Sequence, residues 1–80
     1  MYKYTHTHTH DDNLTRFYRK AIWIDANPHL TQYQKDSGLA DLMTNMERIY
    51  KIPMFRNEQW ERDNSDIISI YRKISDMRKL

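Results

Sequence analysis

A stripe of apolar side chains at helical spacing is the feature that most narrowly limits the folds open to this 80-residue chain. Between residues 39 and 50 such side chains recur at intervals of three and four, at Leu39, Leu42, Met43, Met46, Ile49 and Tyr50. That spacing places them on one face of an α-helix, whereas a strand would alternate. The pattern predicts an amphipathic helix over residues 39–50 with this face buried, and Pro53 ends it.

The same spacing recurs in two further segments. The first is expected to begin at Asp12 or Asn13, which are good capping residues, and to end at Asn27-Pro28. One of its faces carries Leu14, Phe17, Tyr18, Ala21 and Ile24, with Asp25 beside them. The last helix should begin at Asn64 or Ser65 and run for roughly fifteen residues. Its apolar face carries Ile67, Ile70, Tyr71, Ile74 and Met77.

Two short helices are predicted between the longer ones. Pro28 suits the first position of a helix over Pro28–Lys35, with Leu30 and Tyr33 facing inward, and Ser37-Gly38 should interrupt the chain after it. The second is expected to start at Asn57 and to continue through Arg62.

The hydrophobic connector Ile52–Phe55 and Trp60 should close the bundle, with an exposed docking groove as the alternative. No strand pair or internal repeat is apparent. The predicted fold is therefore all-α, a small compact helical bundle of three longer helices and one or two short ones. It should form a single domain over residues 11–80, preceded by a disordered tail.

Residues 1–10 form a His/Thr-rich segment in which Tyr or His alternates with Lys or Thr. A period of two favours a strand, but a lone strand has no partner, so we interpret the segment as a flexible tail or an added affinity tag. Its histidines, His6, His8 and His10, are weak candidate ligands for zinc or nickel, and metal binding by the tail is therefore a minor alternative function. No cofactor is predicted.

The composition restricts the class of protein. Two Trp, six Tyr and two Phe beside one Gly and two Pro indicate a folded chain, and the absence of cysteine excludes disulfides and thiolate zinc sites. No apolar run approaches the ~20 residues of a membrane span, and there is no secretion signal, so the expected location is cytoplasmic.

Catalytic chemistry finds little support. His29 is the only histidine outside the tail, and the single glycine rules out a glycine-rich phosphate-binding loop. Nucleophilic catalysis requires a base that is held beside the nucleophile, and no such pair is evident. The sequence therefore predicts a protein without enzymatic activity.

The first helix carries the most informative surface. Arg16, Arg19, Lys20 and Trp23 cluster on the face opposite its apolar residues. Exposed tryptophan among cations favours contact with an acidic protein partner, so a small regulator, inhibitor or adaptor is the favoured function. In the alternative interpretation, the next helix covers Trp23, which then belongs to the core.

Nucleic-acid binding is the runner-up function. It would use the basic residues of the first and last helices, Arg16, Arg19, Lys20, Arg72, Lys73 and Lys79. Thirteen basic and eleven acidic residues give a net charge of only +2, which is weak for a nucleic-acid-binding domain. Cations near a helix C-terminus also complement the helix dipole. A homodimer is compatible with the sequence as well.

Overall fold

Four α-helices make up the chain in the computed structural model, which describes the backbone of residues 4–79 and the side chains of residues 13–79. The helices are α1 (Tyr4–Ala26), α2 (Gln32–Tyr50), α3 (Glu58–Asp63) and α4 (Ser65–Met77). Residues 4–79 contain no strand. The predicted all-α bundle of three longer helices and one short one is confirmed.

The start of α1 differs from the prediction. The helix begins at Tyr4 rather than at Asp12 or Asn13, so the backbone of residues 4–10 is helical. Extending an existing helix avoids the unfavourable nucleation step, so the strand preference of alternating threonines need not decide the local structure. The side chains of residues 1–12 lie outside the described part of the chain. The independence of segment 1–10 from the domain therefore stays a prediction.

The predicted short helix over Pro28–Lys35 is wrong. The chain turns after α1, and α2 starts at Gln32 with Thr31 as its cap. The Thr31 hydroxyl accepts a hydrogen bond from the backbone N–H of Gln34 (3.1 Å), and the Gln34 side chain accepts one from the backbone N–H of Thr31 (2.9 Å). This reciprocal capping box starts the helix at Gln32, four residues beyond Pro28.

The predicted interruption at Ser37-Gly38 is also wrong, because α2 runs through both residues. A Cβ on Gly38 would lie 3.2 Å from the Cδ1 atom of Ile24 on α1. The glycine therefore lets the two helices approach closely, and their packing offsets its poor helix propensity. In this continuous helix Tyr33 points outward and is 82% exposed, so the predicted inward orientation is wrong.

The core lies where α1, α2 and α4 pack against one another, with α3 packed on α4. Its buried residues are all apolar: Leu14, Ala21, Ile24, Leu39, Leu42, Met43, Met46, Ile67 and Ile74. Half-buried side chains surround this cluster, among them Phe17 and Tyr50, whose rings meet edge to face at a centroid distance of 6.1 Å. The apolar faces predicted for the first and last helices are confirmed as core or as packed against it, except at Tyr18.

The stripe on α2 is only partly buried. Leu39, Leu42, Met43 and Met46 are buried as predicted, but Ile49 is 58% exposed. At 100° per residue, Ile49 lies at the edge of the stripe, whereas Tyr50 lies nearer its centre and packs on Phe17. The prediction that the whole stripe is buried is therefore wrong at Ile49.

The segment between α2 and α4 combines both interpretations of the hydrophobic connector. Lys51 ends α2 in a left-handed conformation (φ 57°), and Asn57 caps α3 by accepting a hydrogen bond from the backbone N–H of Trp60 (3.0 Å). Ile52 and Trp60 pack against the core, as predicted. Met54 and Phe55 instead point away from it and are 91% and 81% exposed.

Candidate protein-binding surface

The outer side of α1 presents four exposed side chains, Arg16, Arg19, Lys20 and Trp23, here called the α1 basic face. They follow one another along the chain at intervals of three, one and three residues, so they lie next to one another on one side of the helix over two turns. Trp23 is 64% exposed. The predicted exposure of this tryptophan is confirmed, and the alternative in which the next helix covers it is wrong.

The opposite side of α1 fixes this orientation. Leu14, Ala21 and Ile24 are buried against α2 and α4, and Ala21 has no exposed surface at all. Because α1 packs against α2 and α4 through these residues, positions about half a turn away must face outward. Trp23 is such a position.

The cations of the α1 basic face have no acidic partner among the described side chains. Within the described side chains, residues 13–79, neither an ion pair nor a side-chain hydrogen bond involves Arg16, Arg19 or Lys20. Asp25 is the single acidic residue between Asn13 and Ala26, and it is half-buried on another side of the helix. The face therefore combines positive charge with a large apolar ring, which suits an acidic surface.

A groove adjoins the α1 basic face where α1 meets α2. It has a volume of about 290 Å³ and is lined by Asn13, Arg16, Phe17, Lys20, Leu42, Asn45 and Ile49. Ile49 was missed as a surface residue by the sequence argument, although its position at the edge of the α2 stripe was a usable signal. Its exposed side chain adds apolar area beside two cations.

The basic residues of α4 are placed differently. Arg72 pairs with Glu61 of α3 at 2.8 Å, and the Nζ atom of Lys73 lies 5.5 Å from the centre of the Tyr18 ring. Arg72 lines a cleft between α3 and α4, whereas Arg16 lines the groove between α1 and α2. Of the six residues considered for nucleic-acid binding, Arg16 and Lys20 thus line one cleft and Arg72 lines another.

The C-terminal residues are held against the start of α2. The backbone N–H of Lys79 donates a hydrogen bond of 2.9 Å to a carboxylate oxygen of Asp36. This bond is the main cause that lowers the pKa of the Asp36 carboxyl below its usual value. The main chain after α4 is therefore held against α2 by this bond, and Lys79 contributes to the packing of the C-terminal segment.

Another cleft, of about 450 Å³, lies between α2, α4 and the connector. Inside it the Tyr71 hydroxyl donates a hydrogen bond to the Glu47 carboxylate. Burial raises the pKa of Tyr71 to about 12, and the bond to Glu47 adds to the shift. A phenol that stays neutral at physiological pH is poorly suited to proton transfer. We therefore interpret this pair as a tie between α2 and α4.

The histidines proposed as metal ligands, His6, His8 and His10, have side chains outside the described part of the chain. Among the described residues, no three His, Cys, Asp or Glu side chains cluster closely enough to hold a metal ion. In the same part of the chain, no helix is both long and apolar enough to cross a membrane.

Comparison with protein-family models, curated proteins and solved structures finds no match to this chain. The α1 basic face and the adjoining groove are the strongest candidates, because they combine exposed apolar groups with cations that lack a carboxylate partner among residues 13–79.

Proposed function

We propose that the protein is a non-enzymatic protein-binding module, such as a small regulator, inhibitor or adaptor, that holds an acidic partner on its α1 basic face. The observation that carries this proposal is the 64% exposure of Trp23 beside Arg19 and Lys20. An indole ring in water adds little to the stability of the fold. Buried at an interface, tryptophan is among the residues that contribute most to binding.

The charge of the face selects the partner's chemistry. Arg16, Arg19 and Lys20 would steer an acidic surface towards Trp23 and disfavour a basic one. Arginine also suits interfaces because its planar guanidinium binds carboxylates in a bidentate manner. Affinity should therefore decrease as the salt concentration increases, while the apolar contribution of Trp23 persists.

The experiment compares Trp23→Ala with Tyr33→Ala, a matched control that removes an exposed aromatic ring from α2. Trp23→Ala should change the free energy of unfolding by less than about 0.5 kcal/mol, as exposed substitutions usually do. It should weaken binding to a partner captured from source-cell extract by ~2 kcal/mol, a factor of about thirty. Tyr33→Ala should change neither quantity. Equal partner binding by both variants would contradict the proposal.

Fluorescence gives an independent check of the same residue. In a Trp60→Phe variant, Trp23 is the sole tryptophan, and its emission should be red-shifted and readily quenched by iodide. Partner binding should shift the emission to the blue and protect it, because the ring leaves water. Protected emission in the free protein would show that Trp23 is covered and would remove the basis of the proposal.

Nucleic-acid binding is the second candidate, because an exposed indole among cations can also stack on bases. A salt titration separates the two functions. If Arg16, Arg19 and Lys20 each neutralise one phosphate, log K against log salt should have a slope of about −2 to −3. Protein binding through Trp23 predicts a shallower dependence. The matched variant Arg72→Gln should leave the slope unchanged, since Arg72 is paired with Glu61 in another cleft.

A further inference from the structure

We propose that the groove between α1 and α2 receives the apolar side of an acidic amphipathic helix from the partner. This inference rests on the proposed function and deepens it by naming the chemistry of the partner segment. The groove is the one lined by Asn13, Arg16, Phe17, Lys20, Leu42, Asn45 and Ile49. It is called the α1–α2 groove below.

The floor of the α1–α2 groove is apolar. Phe17 is half-buried, Leu42 is buried, and Ile49 is 58% exposed beside them. A branched aliphatic side chain left in water at the end of a hydrophobic stripe gains most if a partner covers it. The volume of about 290 Å³ lies just below the ~300–1,000 Å³ typical of small-molecule pockets. It suits a few side chains of a partner better than an enclosed metabolite.

The rim of the α1–α2 groove is positive. Arg16 and Lys20 are four residues apart on α1, so their side chains lie one turn from each other. Among the described side chains, residues 13–79, no carboxylate lines the groove, and its other polar residues are Asn13 and Asn45. Glutamate or aspartate residues on the flank of a helix lying in the groove would meet these two cations. Charge complementarity thus identifies the occupant as acidic.

The length of the α1–α2 groove fits helical anchors. From Asn13 to Lys20, α1 rises by about 10 Å, which corresponds to two turns of a partner helix. A helix that binds in a groove typically inserts residues at positions i, i+3 or i+4, and i+7, and these span the same length. Two or three apolar anchors can therefore contact Phe17, Leu42 and Ile49.

A second copy of this chain fits the α1–α2 groove less well. In a two-fold symmetric dimer the same patch meets itself, so Arg16 and Lys20 of both copies would be brought together. Such a juxtaposition of like charges is unfavourable. Nucleic acid would use the two cations but would leave the exposed Ile49 without a matching contact. An acidic amphipathic helix uses both the rim and the floor.

The test is a selection from a displayed library of random peptides of about sixteen residues, which is long enough for four helical turns. The full-length chain is the target. Enriched peptides should carry apolar residues at helical spacing and Asp or Glu at the positions between them. In titrations with a selected peptide, Ile49→Ala and Lys20→Glu should each weaken binding about tenfold. Met54→Ala, which removes another exposed side chain that does not line the groove, should leave the affinity unchanged.

Several outcomes would overturn the inference. These are the absence of enrichment, the enrichment of basic or non-amphipathic peptides, and equal affinity of the Ile49→Ala variant. Thermal melts of both variants exclude loss of the fold as the cause of weaker binding. If a partner's affinity depends on Trp23 but not on Ile49, the groove proposal fails and the proposed function stands. If it depends on neither residue, both fail.

Discussion

Two substitutions on α2 test whether its apolar stripe is divided between core and surface. Leu39→Ala and Ile49→Ala each delete three carbon atoms from the same stripe, but Leu39 has no exposed surface and Ile49 is 58% exposed. For Leu39 the lost burial and the resulting cavity should cost ~2–5 kcal/mol. An 80-residue domain has a total free energy of unfolding of about 4–12 kcal/mol, so this loss is a large fraction of it.

For Ile49, less than half of the side chain is buried, so the lost transfer free energy is about 1 kcal/mol and no cavity forms. Alanine also has the higher helix propensity, which returns several tenths of a kcal/mol. The net destabilisation should be about 0.5 kcal/mol. Urea unfolding followed by circular dichroism measures the free energy of unfolding of both variants. In thermal melts, the midpoint should decrease by at least about 8 °C for Leu39→Ala and by only about 2–4 °C for Ile49→Ala. Coincident midpoints of the two variants would refute the division of the stripe.

Three further perturbations test other parts of the fold. Lys51→Gly should raise the free energy of unfolding by about 0.5–1 kcal/mol, because Lys51 holds a left-handed backbone (φ 57°) that glycine adopts without strain; an unchanged urea midpoint would contradict this. The free energy of unfolding should decrease as the pH rises from 10.0 to about 12, because the fold favours the neutral phenol of Tyr71 and raises its pKa. Tyr71→Phe should flatten this part of the profile of unfolding free energy against pH. Deletion of residues 1–10 should leave the thermal midpoint unchanged, with or without a chelator, because the buried side chains of the described part lie between Leu14 and Ile74. If the chelator lowers the midpoint of the full-length chain, metal binding by the tail is favoured instead.

The sequence predicted that the three longer helices exist because their apolar spacing acts locally, but it placed the starts of α1 and α2 too late. Asn57 caps α3, and Ile67 and Ile74 of α4 are buried, as local patterns indicate. The failures have two origins: Thr31 and Gln34 form a local capping box that the prediction missed, and at Gly38 a tertiary contact overrides local preference. Gly38 stays inside α2 because its missing Cβ makes room for Ile24, and no local pattern reports such a contact.

The candidate surface shows the same contrast between local and tertiary information. The exposure of Trp23 followed from the register of α1, because burial of one side of a helix determines which residues lie on the other side. The exposure of Ile49 depends on how far α1 covers α2, which the spacing alone does not determine. Predicting the groove between these helices requires both the register of α1 and the extent to which α1 covers α2, so only the structure defines it.

The small core links the stability of this chain to its proposed binding role. All buried residues of the described core are apolar, and the chain has no cysteine to cross-link it, so apolar packing must provide most of its stability. A partner at one hundred times its dissociation constant would add ~2.7 kcal/mol, which is comparable to the loss expected for Leu39→Ala. Because the α1 basic face lies outside the core, binding and folding can be perturbed separately. A true partner should therefore raise the thermal midpoint of the Leu39→Ala variant, and this increase should disappear when Trp23→Ala is added.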